Sequence, residues 1–106
     1  LAVMPMNSAA ATVDAMPVVI TATSSSKPVL DGNDLARGTL VCATGSNWPQ
    51  KAELDLATVR RAELVVCDSV AACELEAGDF RQALEQRVFS WKQAMELSDV
   101  IAGRVT

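Results

Sequence analysis

The sequence has no histidine and no tyrosine, and only two tryptophans and two phenylalanines stand among its 106 residues. Without histidine, a Ser-His-Asp triad is excluded and a zinc site is implausible, so we expect no metal centre. With aromatic residues at 4%, the core has to be built from aliphatic side chains, which suits strands covered by helices. These absences exclude triad hydrolases and argue against zinc proteins.

Excess basic charge and long hydrophobic runs are also missing. The net charge of -4 argues against nucleic-acid binding, and no apolar stretch approaches the ~20 residues of a membrane span. We also recognise no signal peptide at the start of the chain. The three cysteines form no C-x-x-C pair, and we interpret them as reduced thiols: Cys42, Cys67 and Cys73. We therefore predict a cytoplasmic protein with no nucleic-acid or membrane partner.

The length and the hydrophobic content of 50% are those of one compact domain, so we expect residues 1–106 to form a single domain. Predicted helices and strands alternate along the chain, which indicates the α/β class. We predict one parallel sheet with strands near 18–23, 39–43 and 63–67, flanked by helices.

The predicted helices are identified by capping residues and by apolar spacing. With their caps, they are 9–15 after Ser8, 56–61 after Asp55, 69–76 after Asp68, and one through Phe80, Ala83 and Leu84 after Asp79. A last helix from about Lys92 is predicted because Ala94, Leu97 and Ile101 would share one buried face. We also predict a helical turn at 33–36 and a loop at 88–91 whose aromatic side chains close the core.

Two of the predicted strands end in polar loops. Strand 18–23 runs into Ser24, Ser25 and Ser26, and strand 39–43 runs into the segment 44–47, Thr-Gly-Ser-Asn. Because carboxyl ends of parallel strands meet at the same edge of a sheet, we expect both loops to line one crevice. Such an edge is where α/β proteins bind ligands.

Five segments carry a resemblance to a known family. In chain order they are VVITATSSSKPVL, TLVCATGSNWPQKAELD, LVVCDS, LEAGDF and ELSDVIAGR. Through these five segments the chain resembles the ornithine cyclodeaminase and mu-crystallin family over residues 9–104. The resemblance implies the later half of a Rossmann-type NAD(P)-binding domain, with a partial parallel sheet of three to four strands. It also implies NAD or NADP as cofactor and a small amino acid or a cyclic imine as substrate.

The glycine-rich turn that binds a dinucleotide pyrophosphate is missing, because the five glycines are far apart and form no G-x-G-x-x-G. In the family this turn, and the arginine and lysine that bind the substrate, would precede Leu1. We therefore expect a piece of a longer enzyme, as the opening leucine also suggests, and weak NAD(P) binding by this chain alone. The alternative is a truncated, non-catalytic module with a binding or assembly role. Whether this chain is itself an enzyme stays open.

The resemblance implies that the two polar loops contact the cofactor. The residues that would do so are Thr21, Thr23, Ser24, Gly45 and Ser46. The alternative for the hydroxyl groups is that they satisfy nearby backbone groups.

The resemblance implies Asn47 as the catalytic residue. In cyclodeaminases of the family an aspartate at this position moves protons during loss of ammonia, and an amide cannot do so. Asn47 therefore favours an imine reductase or an amino-acid dehydrogenase over a cyclodeaminase, unless its side chain only closes the turn. Lys51 is a candidate substrate contact, and Trp48 either walls the nicotinamide pocket or packs under the loop.

The acidic residues have simpler interpretations. We interpret Asp55 as a helix N-cap and Glu53 as a carboxylate near the same helix N-terminus. Glu74, Glu76 and Asp79 are expected on a solvated helical face.

The strand at 18–23 raises the question of oligomeric state. In the complete family fold it lies beside the first strand of the domain, so its free edge has to be covered here. Leu1–Met4 could cover part of it, or a partner chain could. We therefore predict a homo-oligomer.

Overall fold

The computed structural model describes residues 2–104, which form an α/β fold as predicted. The helices are α1 Ala9–Val13, α2 Leu56–Arg61, α3 Val70–Glu76, α4 Arg81–Glu85 and α5 Leu97–Ile101. The strands are β1 Val18–Thr21, β2 Leu40–Ala43, β3 Val65–Cys67 and β4 Ala94–Glu96. Three short 3₁₀ turns lie between them, at Gly32–Asp34, Gly78–Phe80 and Trp91–Gln93.

The strands are parallel, as predicted, but they form two pairs. β1 pairs with β2 from Val18 opposite Leu40 to Thr21 opposite Ala43. β3 pairs with β4, with Val65 opposite Ala94. Within residues 2–104 no ladder joins β2 to β3, so the expectation that all the strands form one continuous sheet is wrong. The predicted third strand has β4 as its parallel neighbour instead.

The β4 segment was predicted as part of a helix from about Lys92, and this is wrong. Ser90 forms a capping box with Gln93, but it starts only the 3₁₀ turn Trp91–Gln93. The chain then extends into β4, whose Glu96 carboxylate accepts the Val70 N–H at 2.9 Å. A strand followed by a short helix can reproduce helical apolar spacing over ten residues, and the predicted buried face fails because Ile101 is 77% exposed.

Two of the predicted caps are confirmed. Ser8 accepts the Ala11 N–H and Asp55 accepts the Thr58 N–H, so α1 and α2 begin where expected. α1 ends earlier than predicted, at Val13, because the backbone turns to a φ of +53° at Ala15. α3 is capped by Ser69, where Asp68 was predicted.

Within residues 2–104 the core contains two apolar clusters. One is formed around α1 and β1, and its members are Val13, Val19, Leu30, Leu35 and the half-buried Val41. The other joins α2 and α4 through Val59 and Ala83, and Phe89 packs against them. The Phe89 ring stacks on Phe80 at a centroid distance of 4.8 Å. The prediction that aromatic side chains of segment 88–91 close the core is therefore confirmed.

One face of the β1–β2 pair is apolar and open. Val18, Ile20 and Leu40 lie on it and are at least half exposed. The suggestion that the N-terminal segment covers β1 fails for Val3 and Met4, which are 87% and 79% exposed. Leu1 lies outside the described residues.

Candidate functional site

The loops that follow β1 and β2 leave the sheet side by side, as predicted. We call residues 22–26 the first edge loop and residues 44–47 the second edge loop. Thr44 donates both its N–H and its hydroxyl to the Thr21 carbonyl oxygen, each at 2.9 Å. The two polar loops therefore emerge at one edge, where a ligand could contact both.

A fully buried carboxylate, Glu53, joins the two edge loops. One of its oxygens accepts the Thr21 hydroxyl at 2.9 Å and the Gly45 N–H at 2.7 Å. Its other oxygen accepts the Thr23 N–H at 2.5 Å. The side chain is 0% exposed, so these three donors replace water as its hydrogen-bonding partners. β1 ends at Thr21, short of the predicted 18–23, where the chain turns to meet this carboxylate.

The surroundings of Glu53 favour its ionised form. Burial by itself raises the pKa of this carboxyl group, but the hydrogen bonds from Thr23, Gly45 and Thr21 outweigh burial and lower the pKa below its ordinary value. Glu53 is therefore a carboxylate near neutral pH, and its proton-accepting positions face donors that belong to the protein. This arrangement suits a structural anchor better than a general base.

Asp79 holds the backbone of the Glu53 segment. Its carboxylate accepts the N–H groups of Glu53 at 2.6 Å and Leu54 at 2.9 Å. Burial raises the pKa of Asp79, and the nearby charge of Glu53 adds to this effect. Asp79 is only 7% exposed, and α4 begins without a side-chain cap. Its predicted roles as helix cap and solvated residue are wrong, because its carboxylate is used to bind this loop.

Two glycines allow these segments to approach each other. A Cβ atom on Gly45 would lie inside van der Waals contact of the Thr23 carbonyl oxygen and the Glu53 carboxylate. A Cβ atom on Gly78 would collide with the carbonyl oxygens of Pro49 and Lys51. Both glycines are therefore required by close backbone contact.

Several of the predicted cofactor contacts are engaged within the protein. The Thr21 hydroxyl and the Gly45 N–H donate to Glu53, while the Ser46 hydroxyl donates to the Lys51 carbonyl oxygen at 2.8 Å. Thr23 uses its N–H on Glu53, and its hydroxyl accepts the Ser25 N–H at 3.2 Å. The Thr23 hydroxyl also lies close enough to Glu53 to help lower the pKa of that carboxyl group.

Other predicted contacts point outward. Ser24 and Asn47 are exposed, and among residues 2–104 the side-chain hydrogen bonds of the two edge loops are made by other residues, such as Ser25 and Ser46. Asn47 therefore does not close its turn with its own side chain. Trp48 is 58% exposed, so it does not pack beneath the loop, and Lys51 is half-buried. The structure brings these residues to the same end of β1 and β2.

The exposed groups fit the polar end of a nicotinamide cofactor. Asn47 offers an amide with both donor and acceptor atoms, and Ser24 offers a hydroxyl, which match a carboxamide and a ribose. The pyrophosphate has no comparable partner, because the sequence holds no glycine-rich turn at a helix N-terminus. The residues present therefore fit one end of the cofactor.

Other possible sites lie elsewhere or have no ligands. A cleft of about 300 Å³ lies between α3 and α4, lined among others by Pro49, Arg81 and Trp91, and it includes none of the predicted site residues. The described part of the chain has no group of three metal-ligating side chains, and none of its helices is long and apolar enough to cross a membrane. The cysteines are free, and burial raises the pKa of Cys67 to about 12, so it is not a ready nucleophile.

Glu53 and Asp79 are the residues that sequence reasoning missed. Glu53 directly precedes Leu54 and the N-cap Asp55, a position that also suits an exposed carboxylate near a helix N-terminus. Asp79 follows Gly78, as a helix cap often follows a turn. Their partners lie 8 to 32 residues away, so local spacing carries no signal of them.

The chain is similar to proteins of one known family. The model of the ornithine cyclodeaminase/mu-crystallin family matches residues 1–106. Delta(1)-pyrroline-2-carboxylate reductase 1 of Burkholderia multivorans is 42% identical over 91 residues, which cover 85% of this chain and 27% of that protein. The chain thus spans about a quarter of the length of the curated relatives it matches.

Several solved structures are similar to this chain, among them the following two. The Delta(1)-pyrroline-2-carboxylate reductase of Thermococcus litoralis, in complex with NADH and L-proline, matches with a TM-score of 0.85 and 30% identity, covering 92% of this chain and 30% of that one. A probable ornithine cyclodeaminase from Bordetella pertussis matches with a TM-score of 0.83 and 32% identity, covering 94% of this chain and 32% of that one.

Proposed function

The chain belongs to the ornithine cyclodeaminase/mu-crystallin family, and on that premise we propose that it forms the later half of the dinucleotide-binding domain of an NAD(P)-dependent enzyme. The reaction is the reduction of a cyclic imine or the oxidative deamination of an amino acid, and cyclodeamination is disfavoured. The observation that carries this proposal is the pair of edge loops, joined by Glu53, in a segment similar to a reductase that binds NADH and L-proline.

The edge loops would hold the nicotinamide end of the cofactor. Ser24 and Thr23 are exposed and would contact the ribose, and Gly45 and Ser46 would let the cofactor approach the backbone of the second edge loop. Thr21 would support this contact indirectly, because its hydroxyl donates a hydrogen bond to Glu53. When bound, the cofactor supplies the hydride, and the protein supplies orientation and polar contacts.

Asn47 is the proposed catalytic residue, and its chemistry selects the reaction. Its exposed amide can orient an imine or a carboxamide by hydrogen bonding. It cannot take up or release a proton near neutral pH, which release of ammonia from ornithine would require of it. Lys51 lies next to the second edge loop, because its carbonyl oxygen accepts the Ser46 hydroxyl, and its ammonium group would meet a substrate carboxylate.

We also infer the partners and the location of the protein. Its small-molecule partner would be an amino acid or a cyclic imine such as Delta(1)-pyrroline-2-carboxylate, the substrate named for the Burkholderia multivorans relative. The net charge of -4 supports the absence of a nucleic-acid partner, and free cysteines suit the reducing cytoplasm, away from membranes. The open edge of β1 would pair with a second copy, forming a homo-oligomer.

One observation favours a second candidate function. Val18, Ile20 and Leu40 are exposed next to one another on one face of the β1–β2 pair, whereas exposed apolar residues of a monomer are usually scattered. A chain acting alone could use that face in a binding or assembly role without catalysis.

A steady-state assay of the complete protein that contains this chain tests the proposal. We expect NADH or NADPH to be oxidised with Delta(1)-pyrroline-2-carboxylate, and ornithine to give negligible proline and ammonia. Asn47→Asp is the matched variant, because it places a titratable group of nearly the same size at this position. Robust proline formation from ornithine by the unaltered protein would contradict the role given to Asn47.

A further inference from the structure

We propose that Glu53 is a positioning residue for the cofactor-binding loops: its ionised carboxylate fixes the first and second edge loops relative to each other. The proposal rests on the proposed function, because it assigns the nicotinamide end of the cofactor to those loops. Glu53 itself is fully buried, so it touches neither cofactor nor substrate and acts through Thr23 and Gly45.

The geometry shows how one side chain can control both loops. Thr23 lies directly before the exposed Ser24, and Gly45 lies two residues before the exposed Asn47. Their N–H groups end on different oxygens of one carboxylate, at 2.5 and 2.7 Å. The distance between the loops is therefore set by the width of a carboxylate group, and a shift of that group displaces the two outward side chains together.

The backbone of Glu53 is held by hydrogen bonds as well. Asp79 accepts the Glu53 N–H, and the Glu53 carbonyl oxygen accepts the Val29 N–H at 2.9 Å. Glu53 thus has its backbone anchored at both polar atoms and its side chain anchored by three donors. Such a fixed support is what a binding loop requires to hold a ligand contact within a few tenths of an ångström.

Ionisation is essential to this role, because all three partners of the side chain are donors. A carboxylate accepts on both oxygens, whereas a glutamine side chain presents an NH₂ group in place of one of them. In Glu53→Gln that NH₂ group would face either the Thr23 N–H or the Gly45 N–H. One loop would therefore lose its attachment while side-chain size and shape stayed almost unchanged.

The test compares NADH binding by three variants of the complete protein that contains this chain. Glu53→Gln removes the charge and one acceptor. Glu53→Asp keeps both acceptor oxygens but withdraws them by about one C–C bond length, and it remains informative if Glu53→Gln does not fold. Val59→Ala is the control, because it weakens the core at Val59, which is 6% exposed and lies in the cluster away from the edge loops.

We expect the Kd and KM for NADH to rise about 10-fold or more in Glu53→Gln, less in Glu53→Asp, and to stay unchanged in Val59→Ala. The amide proton signals of Thr23 and Gly45 should move upfield in Glu53→Gln, as charge-assisted hydrogen bonds are lost. If unaltered protein does not bind NADH, the proposed function fails and this proposal fails with it. If it binds, and Glu53→Gln binds equally well or only as weakly as Val59→Ala, the positioning role alone is wrong.

Discussion

Replacement of Glu53 by glutamine should destabilise the folded chain by about 2–4 kcal/mol. In the variant one part-buried donor, either the Thr23 or the Gly45 N–H, faces an NH₂ group and loses its partner, which costs about 1–3 kcal/mol. The two remaining hydrogen bonds also change from charge-assisted, worth about 1.5–3 kcal/mol, to neutral, worth about 0.5–1.5 kcal/mol. Part of this loss of free energy is offset because burying a neutral amide costs less than burying a carboxylate.

Urea denaturation followed by tryptophan fluorescence measures this loss, since Trp91 packs against Phe80 at a centroid distance of 5.0 Å and reports on the core. With slopes of about 1–3 kcal/mol per molar urea, the midpoint should fall by about 1–2 M. Glu63→Gln is the control, because Glu63 is exposed and the same chemical change should cost little there. A Glu53→Gln midpoint equal to that of Glu63→Gln would refute the reasoning that the carboxylate joins the loops.

Three further predictions concern pH, assembly and cofactor binding. The pKa of Glu53 is lowered in the folded state, so its contribution to the free energy of unfolding is present above its ordinary value of 4.5 and is lost as pH falls through the folded-state pKa. In urea titrations at several pH values, Glu53→Gln should therefore flatten the acid limb, which is the fall of stability at low pH. An acid limb of unchanged steepness would contradict this prediction. The raised pKa of Asp79 acts with the opposite sign, so Asp79→Asn should make the limb steeper. Light scattering at high micromolar concentration should show a dimer of the 11.2 kDa chain, and Ile20→Lys should weaken this dimer. Ile101→Lys, at a similarly exposed position on α5, is the control and should leave the dimer intact, whereas a mass of one chain for the unaltered protein would exclude the edge contact. Calorimetric titration of the 106-residue chain with NADH or NADPH should show no binding at micromolar concentration, because the sequence lacks a glycine-rich turn for the pyrophosphate, and tight binding would overturn this.

The sequence was sufficient where structure is local. The alternation of apolar runs with polar loops predicted β1, β2 and their common edge, and the caps at Ser8 and Asp55 predicted the starts of α1 and α2. The two caps depend on atoms within three residues of one another, and the common edge follows from the general rule that carboxyl ends of parallel strands meet at one edge of a sheet.

The sequence was insufficient where distant segments compete for the same groups. β4 lies in a stretch with helical apolar spacing, yet it pairs with β3 nearly thirty residues earlier, and this tertiary pairing overrides the local preference. Asp79 follows a glycine as a cap would, but its carboxylate binds the backbone of Glu53. Gly45, two residues before the exposed Asn47, donates its N–H to Glu53, eight residues later, and no local pattern encodes this bond.

A crystal structure of the complete protein with NADH and L-proline tests the central claim most directly. We predict that the nicotinamide end of the cofactor lies at the edge loops, within hydrogen-bond distance of Ser24 or Asn47, and that Glu53 keeps its bonds to Thr23 and Gly45 beneath it. A cofactor bound in the cleft between α3 and α4, or one with no contact to either edge loop, would contradict the account.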